Sequence, residues 1–154
     1  MGLLSNIFKK QPAQPVNYTP LNVQDAWVGI ITAMGRVDGS LSDVEIDNLA
    51  RSLVMSSIFD GHDIVDYINK AATFQNTNGS QQVIDDCVPH IPQHDRATLL
   101  CIVTEVVLAD GQIDANEKEL LIYLAGKLGI EPALFQQILE VYLIRNKYSK
   151  VIFD

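Results

Sequence analysis

The sequence predicts an all-α fold, a compact bundle of about seven helices. Beyond residue 20, apolar residues recur at the three- and four-residue spacing of a helix face, and no segment alternates with the period of two that a half-buried strand shows. With 154 residues, 47% of them hydrophobic, the chain is long enough to bury one core. Turn and helix-end residues separate the helical segments: Gly61, Asn78-Gly79, Pro89, Pro92, Gly129 and Pro132.

The N-terminus contains a short amphipathic pattern, GLLSNIFKK at residues 2–10. Such a pattern is typical of a helix that lies on a membrane surface, where each lysine contributes roughly 1 kcal/mol near anionic lipid. A disordered terminus, or one docked on a partner, fits the same residues equally well. Four apolar side chains on one helical face and two lysines form the candidate membrane or partner contact: Leu3, Leu4, Ile7, Phe8, Lys9 and Lys10.

Residues 11–20, QPAQPVNYTP, contain three prolines and no charge. This composition predicts an extended tether with a reach of ~30 Å. We therefore divide the chain into a terminal segment plus tether at 1–20, a helical domain at 21–146 and a C-terminal tail at 147–154.

Two of the predicted helices, 21–35 and 93–109, are apolar almost all round, which is typical of helices at the centre of a bundle. Trp27 lies in the first of them and is expected to be buried. The other segments are amphipathic or shorter. The seven predicted helices span residues 21–35, 42–57, 62–73, 80–88, 93–109, 114–128 and 131–146.

A motif of the form D-G-x-[LI]-x-x-x-E occurs twice, as DGSLSDVE at 38–45 and as DGQIDANE at 110–117. The two copies are 72 residues apart, and the similarity extends into the flanking helices. We interpret this as two copies of a helix–turn–helix unit, related by pseudo-twofold symmetry. The matched apolar pairs are Ile30 with Ile102, Ile31 with Val103, Met34 with Val106, Leu41 with Ile113, and Leu49 with Leu121.

The motif is not an EF-hand loop. In that register the first and third ligand positions are Met34 and Arg36 in one copy and Val106 and Leu108 in the other, and these side chains do not coordinate calcium.

Helix punctuation explains most motif positions. Gly39 and Gly111 suit the left-handed residue that ends a helix. Ser42 with Glu45, and Asp114 with Glu117, have the spacing of capping boxes. Asp38 and Asp110 are left over, although Asp before Gly also favours a turn.

The second copy carries a family resemblance. LADGQIDANE at 108–117, followed by Leu121, Leu124 and Leu128-Gly129-Ile130, resembles the ADG-x-[IL]-x-x-x-E signature of TerB-like tellurite-resistance domains. The similarity covers about residues 22–145, and the first copy departs from it with Val37 before Asp38. The resemblance implies a helical bundle in the bacterial cytoplasm, an association with stress from tellurite and related oxyanions, and a membrane protein partner. It also implies a divalent-metal site formed by Asp38, Glu45, Asp110 and Glu117.

Symmetric packing of the two units would bring these four carboxylates together. Like charges that close raise one another's pKa unless a cation or helix N-termini compensate. Oxygen ligands favour calcium, magnesium or manganese over zinc. Ser42 in one copy and Asp114 in the other differ, so such a site is not strictly symmetric.

The remaining titratable residues do not form a catalytic pattern. Pro92 separates His90 from His94, which predicts a loop rather than a metal clamp, and His62 has no evident partner. Glu105 is the one charge in an apolar helix and is expected to face water, with a functional acid as the alternative. Cys87 and Cys101 fit no CxxC spacing and are expected to be reduced thiols.

The net charge of the chain argues against one class of partner, nucleic acid. The chain has a formal net charge of −8, and the lysines of the N-terminal segment are the only charges before residue 21, so the rest carries −10. Such a body repels nucleic acid.

Three hypotheses remain. The first is a non-enzymatic TerB-like adaptor in stress response, cytoplasmic or peripheral to the inner membrane. The second is a metal-dependent enzyme that uses the same four carboxylates, and the third is a helical scaffold that forms homo-oligomers. No P-loop, dinucleotide fingerprint or G-x-S-x-G motif occurs, which favours the adaptor.

Overall fold

Helices account for all regular structure in the described part of this chain. The computed structural model describes residues 17–35, 43–108 and 113–148, without the side chains of 43–46, 48 and 52. Within these ranges the all-α prediction is confirmed. The α-helices are α1 Val23–Gly35, α2 Asp43–Val54, α3 Ile64–Asn78, α4 Ser80–Cys87, α5 Arg96–Val107, α6 Ala115–Lys127 and α7 Pro132–Arg145. Short 3-10 turns lie at Ser57–Phe59, Val88–His90 and Gln93–Asp95.

Helix α1 lies at the centre of the bundle. Every residue from Asp25 to Met34 is buried, and the helix packs against α3, α4, α5 and α6. Trp27 is 2% exposed, as predicted, and its ring meets the ring of Phe59 edge to face at 6.1 Å between centroids. A helix that is apolar all round can bury every side only in this central position.

Local sequence sets the helix ends. The side chain of Asp63 caps α3 by accepting from the Asp66 amide at 3.3 Å, and that of Asp114 caps α6 by accepting from the Glu117 amide at 2.8 Å. The second observation confirms the N-terminal half of the predicted capping box. Gly79, with φ of +86°, makes the turn between α3 and α4 because that backbone conformation is costly for other residues.

Two buried amide side chains hold carbonyls near the ends of the first helix of each repeat. Gln75, on α3, donates from Nε2 to the Ala33 carbonyl at 3.0 Å. Asn146, just after α7, donates from Nδ2 to the Leu108 carbonyl at 3.0 Å. Both carbonyls lie at helix C-termini, where intrahelical partners run out. Helix α3 is thereby fixed to the end of α1, and the end of α7 is fixed to the end of α5.

Arg96 connects two further backbone segments through three carbonyls. Its guanidinium donates to the carbonyl of Ile91 at 3.1 Å, and at 3.4 Å to those of Val88 and Leu128. The start of α5 is therefore joined to the loop after α4 and to the end of α6.

No helix in the described ranges is both long and apolar enough to cross a bilayer.

Gly29 allows the closest approach between α1 and α4. A Cβ at this position would lie 2.8 Å from Sγ of the buried Cys87. We expect Gly29→Ala to lower the free energy of unfolding by about 1–3 kcal/mol, because overpacking forces neighbouring atoms apart. Urea denaturation measures the change.

Gly126→Ala is the matched control, since Gly126 also lies inside a helix but faces open space. Alanine there should raise the free energy of unfolding by about 0.5–1 kcal/mol through helix propensity. A Gly29→Ala variant as stable as the Gly126→Ala variant would contradict the close approach of α1 and α4.

Candidate functional site

The flanks of the two D-G motifs meet at one end of the bundle. Helix α1 ends at Gly35 and α5 ends at Val107, each three residues before the aspartate of its motif. A Cβ on Gly35 would lie 3.6 Å from Cγ1 of Val106, so these two helix ends are in contact. Gly35 and Val107 are counterparts in the 72-residue repeat. Contact between nearly equivalent positions is what packing about a twofold axis produces.

The four candidate metal ligands differ in how much of them lies in the described structure. Glu117 lies in the first turn of α6, half-buried, with its amide bound to the capping side chain of Asp114. Glu45 lies in the first turn of α2, with its side chain outside the described atoms. Asp38 and Asp110, with Gly39 and Gly111, lie outside the described residues altogether.

Helix geometry makes this end of the bundle a suitable environment for carboxylates. Glu45 and Glu117 both belong to first turns, where the helix dipole favours negative charge. Among the side chains that the structure describes, no three His, Cys, Asp or Glu residues are grouped closely enough to hold a metal ion. Of the four candidate ligands, only Glu117 has a described side chain.

A second polar cluster lies inside the bundle, around Asp25 near the start of α1. This carboxylate is fully buried. It accepts hydrogen bonds from the hydroxyl of Tyr18, from the amide of Leu21 at 2.8 Å and from Nζ of Lys70 at 2.7 Å. A buried carboxylate is tolerated only when it is paired and hydrogen-bonded, and here one cation and two further donors do this.

These contacts attach the segment from Asn17 to Asn22, here called the strap, to the bundle. Lys70 also donates to the Thr19 carbonyl at 3.0 Å and lies 4.7 Å from the centroid of the Tyr18 ring. The Tyr18 amide donates to Asp86 on α4 at 2.8 Å. Tyr18 and Pro20, which the sequence analysis placed in the tether, are both buried. Within the described residues, Tyr18 is the first to pack on the bundle, where its ring and its hydroxyl both have partners.

The groups of this cluster attach the strap to the bundle and are not activated for chemistry. Burial, together with the hydrogen bond to Asp25, raises the pKa of the Tyr18 hydroxyl well above its ordinary value. Burial, and then the carboxylates of Asp25 and Asp86, raise the pKa of the Cys87 thiol. Both groups are protonated at neutral pH, so neither is an activated nucleophile or a base.

Sequence reasoning missed Asp25, although one signal pointed to it. It is a single acid inside a helix that is otherwise almost wholly apolar, the same property that singled out Glu105. Glu105 does face water as expected, with 54% of its side chain exposed and one carboxylate oxygen 3.8 Å from Arg145. The difference is burial: Asp25 is fully buried and is bonded to Lys70 and Tyr18, whereas Glu105 lies at the surface.

The histidines have structural positions. His62 has a partner, contrary to expectation, since its Nδ1 lies 3.0 Å from the hydroxyl of Tyr67 one helical turn later. His90 and His94 lie in separate 3-10 turns and are exposed, which agrees with the predicted loop. Cys87 and Cys101 are both free thiols, buried and half-buried.

Comparison with known families identifies the class of this domain. A family model described as tellurite resistance protein TerB matches residues 24–140. The chain therefore belongs to the TerB family, in agreement with the resemblance carried by its second D-G motif. The match begins in α1 and ends in α7, so it contains both repeats. No curated protein and no solved structure matches the chain.

The Asp25 cluster predicts a specific alkaline sensitivity. Because the folded pKa of Tyr18 lies above its unfolded value of about 10, the fold gains stability from the protonated hydroxyl below that pH and loses it as the pH rises further. We expect Tyr18→Phe to cost about 1–3 kcal/mol near pH 7, because Asp25 loses a buried donor.

Above pH 10 the difference between wild type and Tyr18→Phe should shrink, by up to about 1.4 kcal/mol per pH unit. Urea denaturation of both proteins between pH 7 and 11 measures it. Tyr123 and Tyr142, whose pKa values are also raised, are present in both proteins and cancel. A difference that stays constant across this range would contradict the anchoring role of the Tyr18 hydroxyl.

Proposed function

We propose that this TerB-family chain is a non-enzymatic adaptor in the cytoplasmic response to tellurite, related oxyanions or general stress. In this proposal it binds a divalent cation at the end of the bundle that carries both D-G motifs. The supporting observation is the contact between Gly35 and Val106, which places the ends of α1 and α5 side by side. The two motifs begin within three residues of those ends, so their acids start from neighbouring positions.

The proposed ligands are Asp38, Glu45, Asp110 and Glu117. Four carboxylates in one place repel one another, and a divalent cation removes that repulsion. Ligands that are all oxygen favour calcium, magnesium or manganese. The N-termini of α2 and α6 add partial positive charge, which helps to hold the acids ionised.

An adaptor rather than an enzyme is supported by the state of the reactive groups. Cys87 and Tyr18 are the buried groups of nucleophilic type in the strap and α4, and both are held protonated. Their hydrogen bonds and packing serve to hold helices and strap together.

We propose that the adaptor also binds at a membrane surface. Residues 1–10 carry the amphipathic pattern, and the strap fixes the point at which the preceding chain leaves the bundle. We propose that this segment binds an anionic lipid surface or a membrane protein, which places the domain at the inner face of the cytoplasmic membrane. Lys9 and Lys10 supply the electrostatic attraction and the four apolar side chains supply the buried area.

Metal binding predicts a specific loss in a double variant. If the four acids hold a cation, Asp38→Asn with Asp110→Asn should remove metal-dependent stabilisation, which amounts to about 2.7 kcal/mol at a hundredfold excess of metal over Kd. Asn suits a turn before Gly, so the fold itself should change little. Thermal melts in chelator, and then with added calcium, magnesium or manganese, give the measurement.

The matched control is Asp60→Asn with Glu119→Gln, which removes the same amount of charge from exposed positions. This control should keep the full melting shift. Equal shifts in wild type and the D-G variant, or no shift in either, would remove the metal from the proposed function and leave the repeats as capped helix junctions.

Membrane association predicts salt-sensitive binding to anionic vesicles. Replacement of Lys9 and Lys10 by Glu should weaken co-sedimentation with phosphatidylserine vesicles by about tenfold or more, since each lysine contributes roughly 1 kcal/mol. The control replaces Lys118 and Lys147, two exposed lysines of the bundle, by Glu. Equal binding by both variants would rule out the N-terminal segment as the membrane contact.

A further inference from the structure

An open groove runs between α5 and α7 on the surface of the bundle. It encloses a space of about 510 Å³, within the roughly 300–1,000 Å³ typical of ligand sites. Cys101 and Glu105 line it from α5, and Ile138, Val141, Tyr142 and Arg145 line it from α7. Along the outer side of α7, Leu134, Val141 and Ile144 are 40–77% exposed. This helix therefore keeps several large apolar side chains on the surface.

The internal repeat shows what covers the equivalent groove in the first unit. Helices α1, α2 and α3 correspond in order to α5, α6 and α7, and each third helix is fixed to its first helix by a buried amide, Gln75 or Asn146. In the first unit, α4 packs against both α1 and α3. Within the described ranges, no helix takes the place of α4 on α5 and α7.

One matched pair of residues locates this difference. In the first unit α4 crosses α1 at Gly29, where Cys87 comes so close that no Cβ would fit. The counterpart of Gly29, 72 residues later, is Cys101, which lines the open groove. The groove thus lies where a short amphipathic helix lies in the other repeat.

The helix that covers the first groove has a simple apolar pattern. Val83, Ile84, Cys87 and Val88, at positions i, i+1, i+4 and i+5, are all buried. Among the residues outside the described ranges, the same pattern occurs at Leu3, Leu4, Ile7 and Phe8. In a helix, these four residues would form the same apolar face as those of α4, with larger side chains. Larger side chains suit a groove that no described helix fills.

We propose that residues 2–10 of this chain dock as a short helix in the groove between α5 and α7, with the four apolar side chains facing Cys101, Val141 and Tyr142. This inference goes beyond the proposed function, because it concerns a contact within the chain that requires neither metal nor membrane.

Reach and charge agree with this occupant. The strap fixes the chain at Tyr18, and the seven residues 11–17 between Tyr18 and the segment extend about 22 Å. A domain of this size has a radius of gyration of about 14 Å, so neighbouring faces are within range. Lys9 and Lys10 follow Phe8 directly, and half-exposed Glu105 stands at the groove. The chain beyond residue 20 carries a net charge of −10, which favours a basic occupant over a second copy of the same chain.

Cys101 provides the test, because it lines the groove and is half-buried, while Cys87 is fully buried and serves as an internal reference. The rate at which a maleimide modifies Cys101 is measured in the full chain and in a Leu4→Ser, Ile7→Ser variant. If the segment occupies the groove for nine-tenths of the time, the variant should react about tenfold faster. Val141→Asp should have the same effect from the groove side.

Two controls isolate the contact. Ser5→Asn with Asn6→Ser changes the polar face of the segment and should keep Cys101 protected. Ile122→Asp changes another half-exposed apolar residue, on α6, and should also leave the rate unchanged. Combining the segment variant with Val141→Asp should give no further acceleration, because both changes remove one contact.

Equal Cys101 rates in wild type and in the Leu4→Ser, Ile7→Ser variant would overturn the proposal. Protection that survives that variant and grows with protein concentration would also overturn it, because a second copy would then be the occupant. The wild-type chain separates this inference from membrane binding. In wild type, protected Cys101 without vesicle binding supports docking and rejects the membrane contact, and vesicle binding with unprotected Cys101 does the reverse.

Discussion

The complete burial of α1 is the constraint on which the rest of the structure depends. On a helix with no side in water, a charged side chain and the carbonyls of the last turn need partners from other elements. Asp25 receives Tyr18, Leu21 and Lys70. The Ala33 carbonyl receives Gln75. The strap and α3 are therefore fixed by α1, and loss of one partner would leave a buried group unsatisfied.

The same constraint separates the two repeats. Their sequences match along both helices of the D-G unit, yet α1 is covered on all sides while α5 has an open flank at Cys101. Gly29 admits α4 to within contact of the α1 backbone, and cysteine at the matched position of α5 does not. Of the two units, one therefore has its first helix covered on all sides, and the other leaves an open groove on the surface. The difference follows from α4 in the first unit, which no helix of the described ranges replaces in the second.

The sequence contains enough information for the helices, the central place of α1 and the family, because these follow from period, composition and local capping. Gly79, Asp63 and Asp114 act at positions that their immediate neighbours determine. The Asp25 cluster was not predictable in this way, since Lys70 is 45 residues distant in the chain and the burial of a charge depends on which partner the fold brings to it. The groove was missed for the same reason: α7 is apolar enough to be buried, and only tertiary packing shows that α5 covers one side of it. For the D-G acids, the sequence identifies the motif and the structure adds the contact between its two flanks.

The strap gives these separate features a common consequence. Because Tyr18 is held by Asp25 and its amide by Asp86, the N-terminal segment starts from a fixed point and not from a loose end. A short connection to a fixed point keeps the effective concentration of the segment near its own domain in the millimolar range, so a weak apolar contact is enough for docking. Under the two proposals made above, a membrane and the intramolecular groove compete for the same four side chains. In such a competition lipid binding uncovers the groove between α5 and α7, and occupation of that groove by another helix releases the segment to the membrane. The two surfaces would in this way report on each other without any change in the bundle between them.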